Sequence, residues 1–133
     1  MICLDSSFII DYLKGDLSAK KTLLKHKKDK ICVSEFTVFE VAEGLIYSMN
    51  KNKNKKMFSI FFEFLETIEI LPLKNFFSLE AAKISAVLNL KGKKINSIDS
   101  LIAGSMIENN VFKIITRNTA HFMRIKGIQV INY

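Results

Sequence analysis

The chain has 133 residues, of which 49% are hydrophobic, and it carries a formal net charge of +7. This size and composition predict one domain spanning residues 1–133, with a hydrophobic core of its own. No apolar run reaches the roughly 18 residues that a membrane helix needs, and the N-terminus lacks the basic segment and cleavage site of a signal peptide. The sequence therefore predicts a cytoplasmic protein that does not enter a membrane.

The positive charge comes almost entirely from lysine, because Arg117 and Arg124 are the two arginines in the sequence. Lysine is a point charge that suits a phosphate backbone better than the bidentate reading of bases. A surplus of this kind favours a polyanionic partner, such as nucleic acid, a membrane surface or an acidic protein. The alternative is a lysine-rich composition with no binding role, so charge alone does not assign a function.

Short apolar runs alternate with segments of helical spacing along the whole chain. Ser34 is a candidate cap for the long helix that begins at Glu35, and Asn96 or Ser97 for the helix that contains Asp99. The predicted strands are 1–4, 31–33, 68–71, 112–116 and 128–131, and the predicted helices are 8–13, 16–28, 35–49, 57–65, 75–90 and 99–110. Because this alternation requires crossover connections, it predicts an α/β domain of three layers, with a short-stranded parallel sheet between helices.

Two further segments and the two cysteines carry specific expectations. The lysine-rich break at residues 50–56 is the best candidate for a mobile loop. The helix 57–65 is apolar on most of its circumference, so we expect it to pack against the core and a second copy of the chain. Cys3 and Cys32 fall in strand-like runs, where a reduced pair is expected rather than a disulfide or a zinc site.

Three acids lie in apolar segments that contain no basic residue. They are Asp5 after the first strand, Glu40 in the long helix and Asp99 in the first turn of a later helix. Taken singly, each has an ordinary explanation, which is helix capping for the two aspartates and an exposed helix face for Glu40. Since carboxylates are rarely buried without a partner, the three together predict a cation held between them.

Oxygen ligands without a cysteine or histidine pair suit Mg²⁺ or Mn²⁺. Such ions lower the pKa of a bound water and stabilise in-line displacement at phosphorus. The acids would hold the ion and the basic surface would hold a polyanion, and hydrolysis of a phosphodiester needs both. The sequence therefore predicts a metal-dependent enzyme that cleaves nucleic acid.

The segment after the fourth predicted strand should reach the same edge of the sheet as Asp5, because ligands bind outside the carboxyl ends of parallel strands. It contains Thr116, Arg117 and Asn118, and His121 follows. We interpret His121 as a packing or capping residue, with metal ligation as the alternative. His26 is expected on the surface of a lysine-rich helix.

The sequence resembles the PIN-domain family, and most closely the VapC-type toxins of toxin–antitoxin pairs. The matching residues run in order through the chain: 4–11 (LDSSFIID), 34–36 (SEF), Glu40, Gly44, 98–103 (IDSLIA), 116–122 (TRNTAHF) and 127–130 (GIQV). The resemblance implies a Mg²⁺- or Mn²⁺-dependent endoribonuclease that forms a homodimer and is silenced by a cognate antitoxin.

The resemblance also implies roles for individual residues. Asp5, Glu40 and Asp99 fall on the acidic positions that bind metal and carry catalysis. Many members have a further acid where this chain has Asn118, or just before Asp99, so we expect one firmly held metal and a weaker second one. The candidate auxiliary residues are Asn118, Ser6, Thr116 and Asn96, and the candidate RNA contacts are Arg117, Lys93 and Lys94.

Two alternatives to a nuclease remain open. The missing fourth acid is compatible with a degenerate PIN domain that binds RNA or a protein partner without cleavage. A phosphoacceptor receiver domain has a similar length and an acidic Mg²⁺ pocket, but its acceptor aspartate lies at the end of a mid-chain strand. Here the mid-chain acid, Glu40, falls inside a predicted helix, which disfavours the receiver.

Overall fold

A computed structural model describes residues 1–50 and 55–133 of the chain. This part of the chain contains five strands and seven helices. In chain order they are β1 (Ile2–Leu4), α1 (Ser6–Leu13), α2 (Leu17–Lys25), β2 (Ile31–Ser34), α3 (Glu35–Asn50), α4 (Lys55–Leu65), β3 (Glu69–Leu71), α5 (Phe77–Leu90), α6 (Ser97–Glu108), β4 (Lys113–Ile115), α7 (Thr119–Phe122) and β5 (Gln129–Ile131).

The strands form one parallel sheet in the order β3-β2-β1-β4-β5. The first strand of the chain is therefore the central one, and Cys3 lies between Cys32 and Ile114 in the register. The predicted parallel sheet is confirmed. Cys3 and Cys32 are both buried and free, as expected of a reduced pair.

Alternate strand residues face two separate cores. Cys3 and Ile114 pack with side chains of α5, α6 and α7, while Leu4 and Ile115 pack with α1, α3 and α4. This separation follows from the strand geometry, in which successive side chains point to opposite faces. The sheet is therefore covered by helices on both sides, and the predicted three-layer α/β architecture is confirmed.

Several element boundaries differ from the prediction. The second helix ends at Lys25 instead of Lys28, and His26 then contacts Asp29 with 2.9 Å between Nδ1 and Oδ2. The fifth helix begins at Phe77 rather than Asn75. The predicted break at residues 50–56 falls largely outside the described residues, because α3 extends to Asn50 and α4 begins at Lys55.

Side-chain caps fix where the two helices that carry Glu40 and Asp99 begin. Ser34 Oγ accepts a hydrogen bond from the Thr37 backbone N–H at 3.1 Å, as predicted for the start of α3. Asn96 Oδ1 accepts from the Ile98 N–H at 3.0 Å, so Asn96 rather than Ser97 caps α6. Asp99 is therefore free of the capping role.

Helix α6 lies unusually close to α5 at Gly104. A Cβ atom added there would be 2.6 Å from the Phe77 carbonyl oxygen and 2.7 Å from the Ala81 nitrogen. Because real Cβ atoms do not approach backbone so closely, only glycine allows α6 to lie at this distance. The contact fixes the helix that carries Asp99.

Helix α4 buries one side and leaves another uncovered in the single chain. Phe61 is buried in the core, whereas Ile60 and Phe62 are exposed. The prediction of an apolar helix at residues 57–65 is confirmed. Among the described helices, none combines the length and the hydrophobicity that crossing a membrane would require.

Candidate functional site

The candidate site lies at the carboxyl ends of β1 and β4, the two central neighbours of the sheet. Asp5 directly follows β1 and Thr116 directly follows β4, and the register pairs Leu4 with Ile115. The Asp5 backbone N–H also donates to the Ile115 carbonyl at 3.1 Å. The sheet therefore brings together two side chains that are 111 positions apart in the sequence.

Asp5 is buried, with 3% of its surface exposed. Its Oδ2 atom accepts hydrogen bonds from Ser7 Oγ at 2.8 Å and from Thr116 Oγ1 at 2.6 Å. Although Asp5 occupies the cap position of α1, its side chain forms no capping hydrogen bond. Capping is thus excluded as the reason for this acid, and two hydroxyl groups hold the carboxylate in one orientation.

Asp99 lies in the first turn of α6 and is also buried. Its Oδ2 atom accepts a hydrogen bond from Asn118 Nδ2 at 3.0 Å, and it lies 2.5 Å from His121 Nδ1. Within residues 1–50 and 55–133, neither Asp99 nor Asp5 forms an ion pair with a lysine or arginine. Asp5 therefore lacks the cationic partner that ordinarily accompanies a buried carboxylate, and Asp99 has an imidazole in place of a lysine or arginine.

Glu40 lies on α3 and is partly buried. Burial raises the pKa of its carboxyl group, a hydrogen bond with Ser6 lowers that pKa, and the charges of Asp5 and Asp99 raise it. Burial is also the main reason that the pKa of Asp99 is raised, and the charge of Asp5 adds to it. The three predicted acids thus lie close enough to repel one another, which makes the ionised cluster unfavourable without a cation.

The donor set fits a hard divalent cation. Among the described residues, no three or more histidine, cysteine and acidic side chains lie close enough together to hold a metal ion by themselves. Mg²⁺ does not require such a group, because it usually binds through one or two carboxylates and completes its shell with water and substrate phosphates. The mutual repulsion of Asp5, Asp99 and Glu40 is the feature that such an ion would relieve.

The four auxiliary candidates occupy different positions. Thr116 bonds Asp5, and its Oγ1 also accepts from the Asn118 backbone N–H at 2.8 Å. Asn118, predicted as a neutral oxygen ligand, instead directs its amide nitrogen towards Asp99. Ser6 bonds Glu40. Asn96 is exposed and caps α6, so it serves the helix that presents Asp99.

Two side chains at the site were not assigned to it from the sequence. Ser7 bonds Asp5 through its hydroxyl and also accepts from the Arg117 backbone N–H at 3.2 Å. His121, interpreted from the sequence as a packing or capping residue, places its imidazole against Asp99. Its spacing of three residues from Asn118, on the short helix α7, was the signal for this position.

The candidate RNA contacts lie outside the cluster of acids. Arg117 Nε is 3.0 Å from Asp11 Oδ2, and its guanidinium lies over the Tyr133 ring at 5.1 Å from the centroid. Lys93 and Lys94 are exposed between α5 and α6, where their carbonyls accept hydrogen bonds from Arg124. Arg117 is therefore anchored beside the site, while the two lysine side chains face solvent.

The chain is similar to known proteins over nearly its whole length. A relative described as the tRNA(fMet)-specific endonuclease VapC of Shigella flexneri is 24% identical over 126 residues, which cover 95% of this chain and 92% of that protein. A similar fold occurs in the structure of VapBC2 from Rickettsia felis bound to a DNA fragment from its promoter. One chain of that structure superposes with a TM-score of 0.84 and is 26% identical. The match covers 100% of this chain and 99% of that one. A chain of DNA-bound VapBC from Salmonella typhimurium gives a TM-score of 0.83 at 22% identity over 98% and 96% of the two chains.

The family model described as the PIN domain matches residues 2–128. That range includes every strand except β5, and it includes Asp5, Glu40 and Asp99. Since the match extends over nearly the whole chain, this protein belongs to the PIN domain family.

Proposed function

We propose that this protein is a metal-dependent endoribonuclease that cleaves RNA phosphodiester bonds. The observation that carries the proposal is the pair of buried aspartates, Asp5 and Asp99, which meet near Glu40 without a lysine or arginine partner in the described part of the chain. The net charge of +7 supports a polyanionic substrate. Membership of the PIN domain family and the similarity to an endonuclease support nuclease activity.

Each acid has a distinct part in the proposed reaction. A bound Mg²⁺ or Mn²⁺ would polarise the scissile phosphate and stabilise the charge that develops on it. Asp5 is oriented by Ser7 and Thr116, and Asp99 by Asn118, so both carboxylates are fixed as ligands before an ion arrives. Glu40 accepts the proton of the attacking water, because α3 holds its partly buried carboxylate beside the two aspartates.

We also propose that the protein is a cytoplasmic VapC-type toxin that a cognate antitoxin inhibits. Two of the similar solved structures are VapBC complexes, and the one from Rickettsia felis is 26% identical to this chain. A homodimer is supported by the apolar side chains that α3 and α4 expose. These are Phe39, Ile46, Ile60 and Phe62. Sedimentation at micromolar concentration tests the dimer, and a monomer would contradict it.

The second candidate is a PIN domain that binds RNA or a protein without cutting. It is favoured by the segment Thr116-Arg117-Asn118, where this chain has no fourth acid. Under that alternative the repulsion between the acids would serve binding of an ion without hydrolysis. Retained RNA binding with no cleavage in either ion would support it.

The test is cleavage of a structured RNA by the purified, antitoxin-free protein in Mg²⁺, in Mn²⁺ and in EDTA. The variants are Asp5→Asn and Asp99→Asn, which keep size and remove charge. Asp29→Asn is the matched control, since Asp29 is an exposed acid that contacts His26 on the surface. We expect ion-dependent cleavage that both site variants lose and the control keeps.

Other outcomes of this experiment are equally informative. Equal cleavage by the wild type and all three variants would identify a contaminating ribonuclease and remove the support for catalysis. Cleavage that persists in EDTA would contradict the metal requirement. Binding without cleavage would transfer the assignment to the second candidate.

A further inference from the structure

The site contains an imidazole as well as oxygen donors. His121 Nδ1 lies 2.5 Å from Asp99 Oδ2 and 2.9 Å from Asn118 Nδ2. The nitrogen therefore faces the carboxylate that is buried in the first turn of α6. A hydrogen bond to Asp99 occupies the nitrogen here, so a cation bound to both atoms would replace the proton that they share.

The surrounding structure fixes the position of this ring. The next residue, Phe122, is fully buried in the core, so α7 is attached to the domain one residue beyond His121. On the other side, the Asn118 backbone N–H bonds Thr116 Oγ1, which in turn bonds Asp5. The His121 side chain is nevertheless about one-third exposed (32%), which leaves it accessible to a solute entering the site.

The chemistry of an imidazole differs from that of the acid it accompanies. Mg²⁺ is a hard ion that prefers oxygen and binds nitrogen poorly, whereas divalent transition ions bind imidazole more strongly. One nitrogen donor among carboxylates therefore penalises Mg²⁺ relative to Mn²⁺. An aspartate in place of His121 would supply an oxygen donor and would favour Mg²⁺ instead.

We propose that His121 is a direct ligand of the ion at this site and that it makes the site prefer Mn²⁺ over Mg²⁺. The inference rests on the proposed function, because it concerns the ion that the acids hold. In the proposed site, His121 Nδ1 and Asp99 Oδ2 both bind the ion. These two bonds replace the hydrogen bond that the two atoms now share. If His121 only oriented Asp99, it would make the same hydrogen bond to that carboxylate. The test must therefore detect a bond between the His121 nitrogen and the ion.

The experiment measures Mn²⁺ bound to the purified protein by pulsed electron paramagnetic resonance, which detects a ¹⁴N nucleus bonded to the ion. The preference is measured by displacing Mn²⁺ with Mg²⁺ at one fixed, mildly alkaline pH. The variants are His121→Gln and His121→Asp, and His26→Gln is the control because His26 is the other histidine and pairs with Asp29 away from the acids. Circular dichroism confirms that each variant is folded.

We expect a ¹⁴N coupling in the wild type and in His26→Gln, and none in either His121 variant. Mn²⁺ affinity should fall by about 10- to 100-fold in His121→Gln, the usual effect of removing a group that supports a metal site. The preference for Mn²⁺ over Mg²⁺ should fall in His121→Asp, because an oxygen donor replaces the nitrogen. Mn²⁺ bound without ¹⁴N coupling in the wild type would overturn this inference and leave the proposed nuclease intact. Failure of the wild type to bind either ion would instead overturn the metal-dependent function itself.

Discussion

At the scale of single residues, the site is defined by which carboxylate atoms already have partners. Both hydroxyl hydrogen bonds to Asp5 reach Oδ2, from Ser7 and Thr116. Among the described residues, no hydrogen bond reaches Oδ1 of Asp5. The arrangement orients one oxygen and leaves the other available to a cation, which is how an outer shell of hydrogen bonds prepares a metal ligand.

Thr116→Val tests this orientation, because it keeps the shape of the side chain and removes the hydroxyl. We expect cleavage to fall by about 10- to 100-fold, with weaker binding of the ion, since Asp5 loses a partner that fixes its position. The control is Thr67→Val, which removes the exposed hydroxyl that bonds the Phe64 carbonyl. Initial cleavage rates and titration with Mn²⁺ provide the measurement, and equal rates for the two variants would contradict the role of Thr116.

Charge repulsion predicts a gain in stability when Glu40 is neutralised. Its pKa is raised in the folded protein, so protonation favours folding. That contribution is complete below the pKa of the unfolded chain and is lost as the pH rises through the folded pKa. At neutral pH in EDTA, Glu40→Gln should therefore melt at a higher temperature than the wild type.

The matched control for this prediction is Glu63→Gln, an exposed acid on α4 that is not among the groups that shift the pKa of Glu40. Melting curves over a series of pH values should show the advantage of Glu40→Gln shrinking as the solution is acidified. Saturating Mn²⁺ should reverse the order, because an ion at a hundred times its Kd stabilises the wild type by about 2.7 kcal/mol. A lower melting temperature for Glu40→Gln in EDTA would show that the carboxylate is favourable in the folded protein.

At the scale of elements, α6 is the helix on which the position of Asp99 depends. Its approach to α5 is set at Gly104, where a methyl group would meet the backbone of Phe77 and Ala81. A side chain at this position must push the two helices apart. The displacement would be transmitted to the first turn of α6, where Asp99 meets Asn118 and His121.

Gly104→Ala is therefore expected to destabilise the protein by about 1–3 kcal/mol, the usual cost of overpacking a core. Cleavage should fall as well, because Asp99 moves with the helix. Gly44→Ala is the matched control on α3, where an added Cβ meets no atom within 4 Å. Alanine loses less backbone entropy than glycine when the helix folds, so Gly44→Ala should be at least as stable as the wild type. Urea unfolding measures both, and equal midpoints would contradict the tight contact.

The same elements show how far the sequence predicts the fold. The apolar run of β1 and the helical spacing in α5 are local patterns, and both elements were predicted from the residues. The end of α2 was placed three residues too late, because the turn at His26 and Asp29 is not encoded in the apolar spacing. Hydrophobic periodicity locates elements well and their ends poorly, since the ends depend on individual polar contacts.

Part of the site could also be predicted. Asp5, Glu40 and Asp99 were identified because each is an acid in apolar surroundings. The contacts of Ser7 with Arg117 and of His121 with Asp99 could not be predicted, because the two members of each pair come from elements distant in the sequence. Such contacts are specified by the order of the strands and the packing of α6 and α7, and not by any local pattern.

At the scale of the whole molecule, the net charge of +7 predicts strong dependence of RNA affinity on salt. Lys93 and Lys94 lie exposed in the turn that leads into the Asp99 helix. In the Asp5→Asn background, we expect replacement of both by alanine to reduce the slope of log affinity against log salt by about 1.4, or about 0.7 for each phosphate that a lysine no longer neutralises. Fluorescence anisotropy with a short single-stranded RNA measures the slope.

The charge-matched control is the alanine pair at Lys27 and Lys28. These lysines are exposed and precede β2, so they lie at the edge of the sheet opposite the acids. Replacing Lys27 and Lys28 by alanine should change the salt slope much less than replacing Lys93 and Lys94. Equal effects would mean that the RNA is attracted by overall charge and not guided to the site.

The central position of β1 has a consequence for protein synthesis. Residues 2–4 are translated before the other strands of the sheet, but one side of β1 has no strand to pair with until β4, at residues 113–115, has been made. Until then Asp5 also lacks the Thr116 hydroxyl, and Asp99 lacks Asn118 and His121. A nascent chain therefore cannot complete the site before residues 113–121 have been translated, so the acids converge only after that segment has left the ribosome.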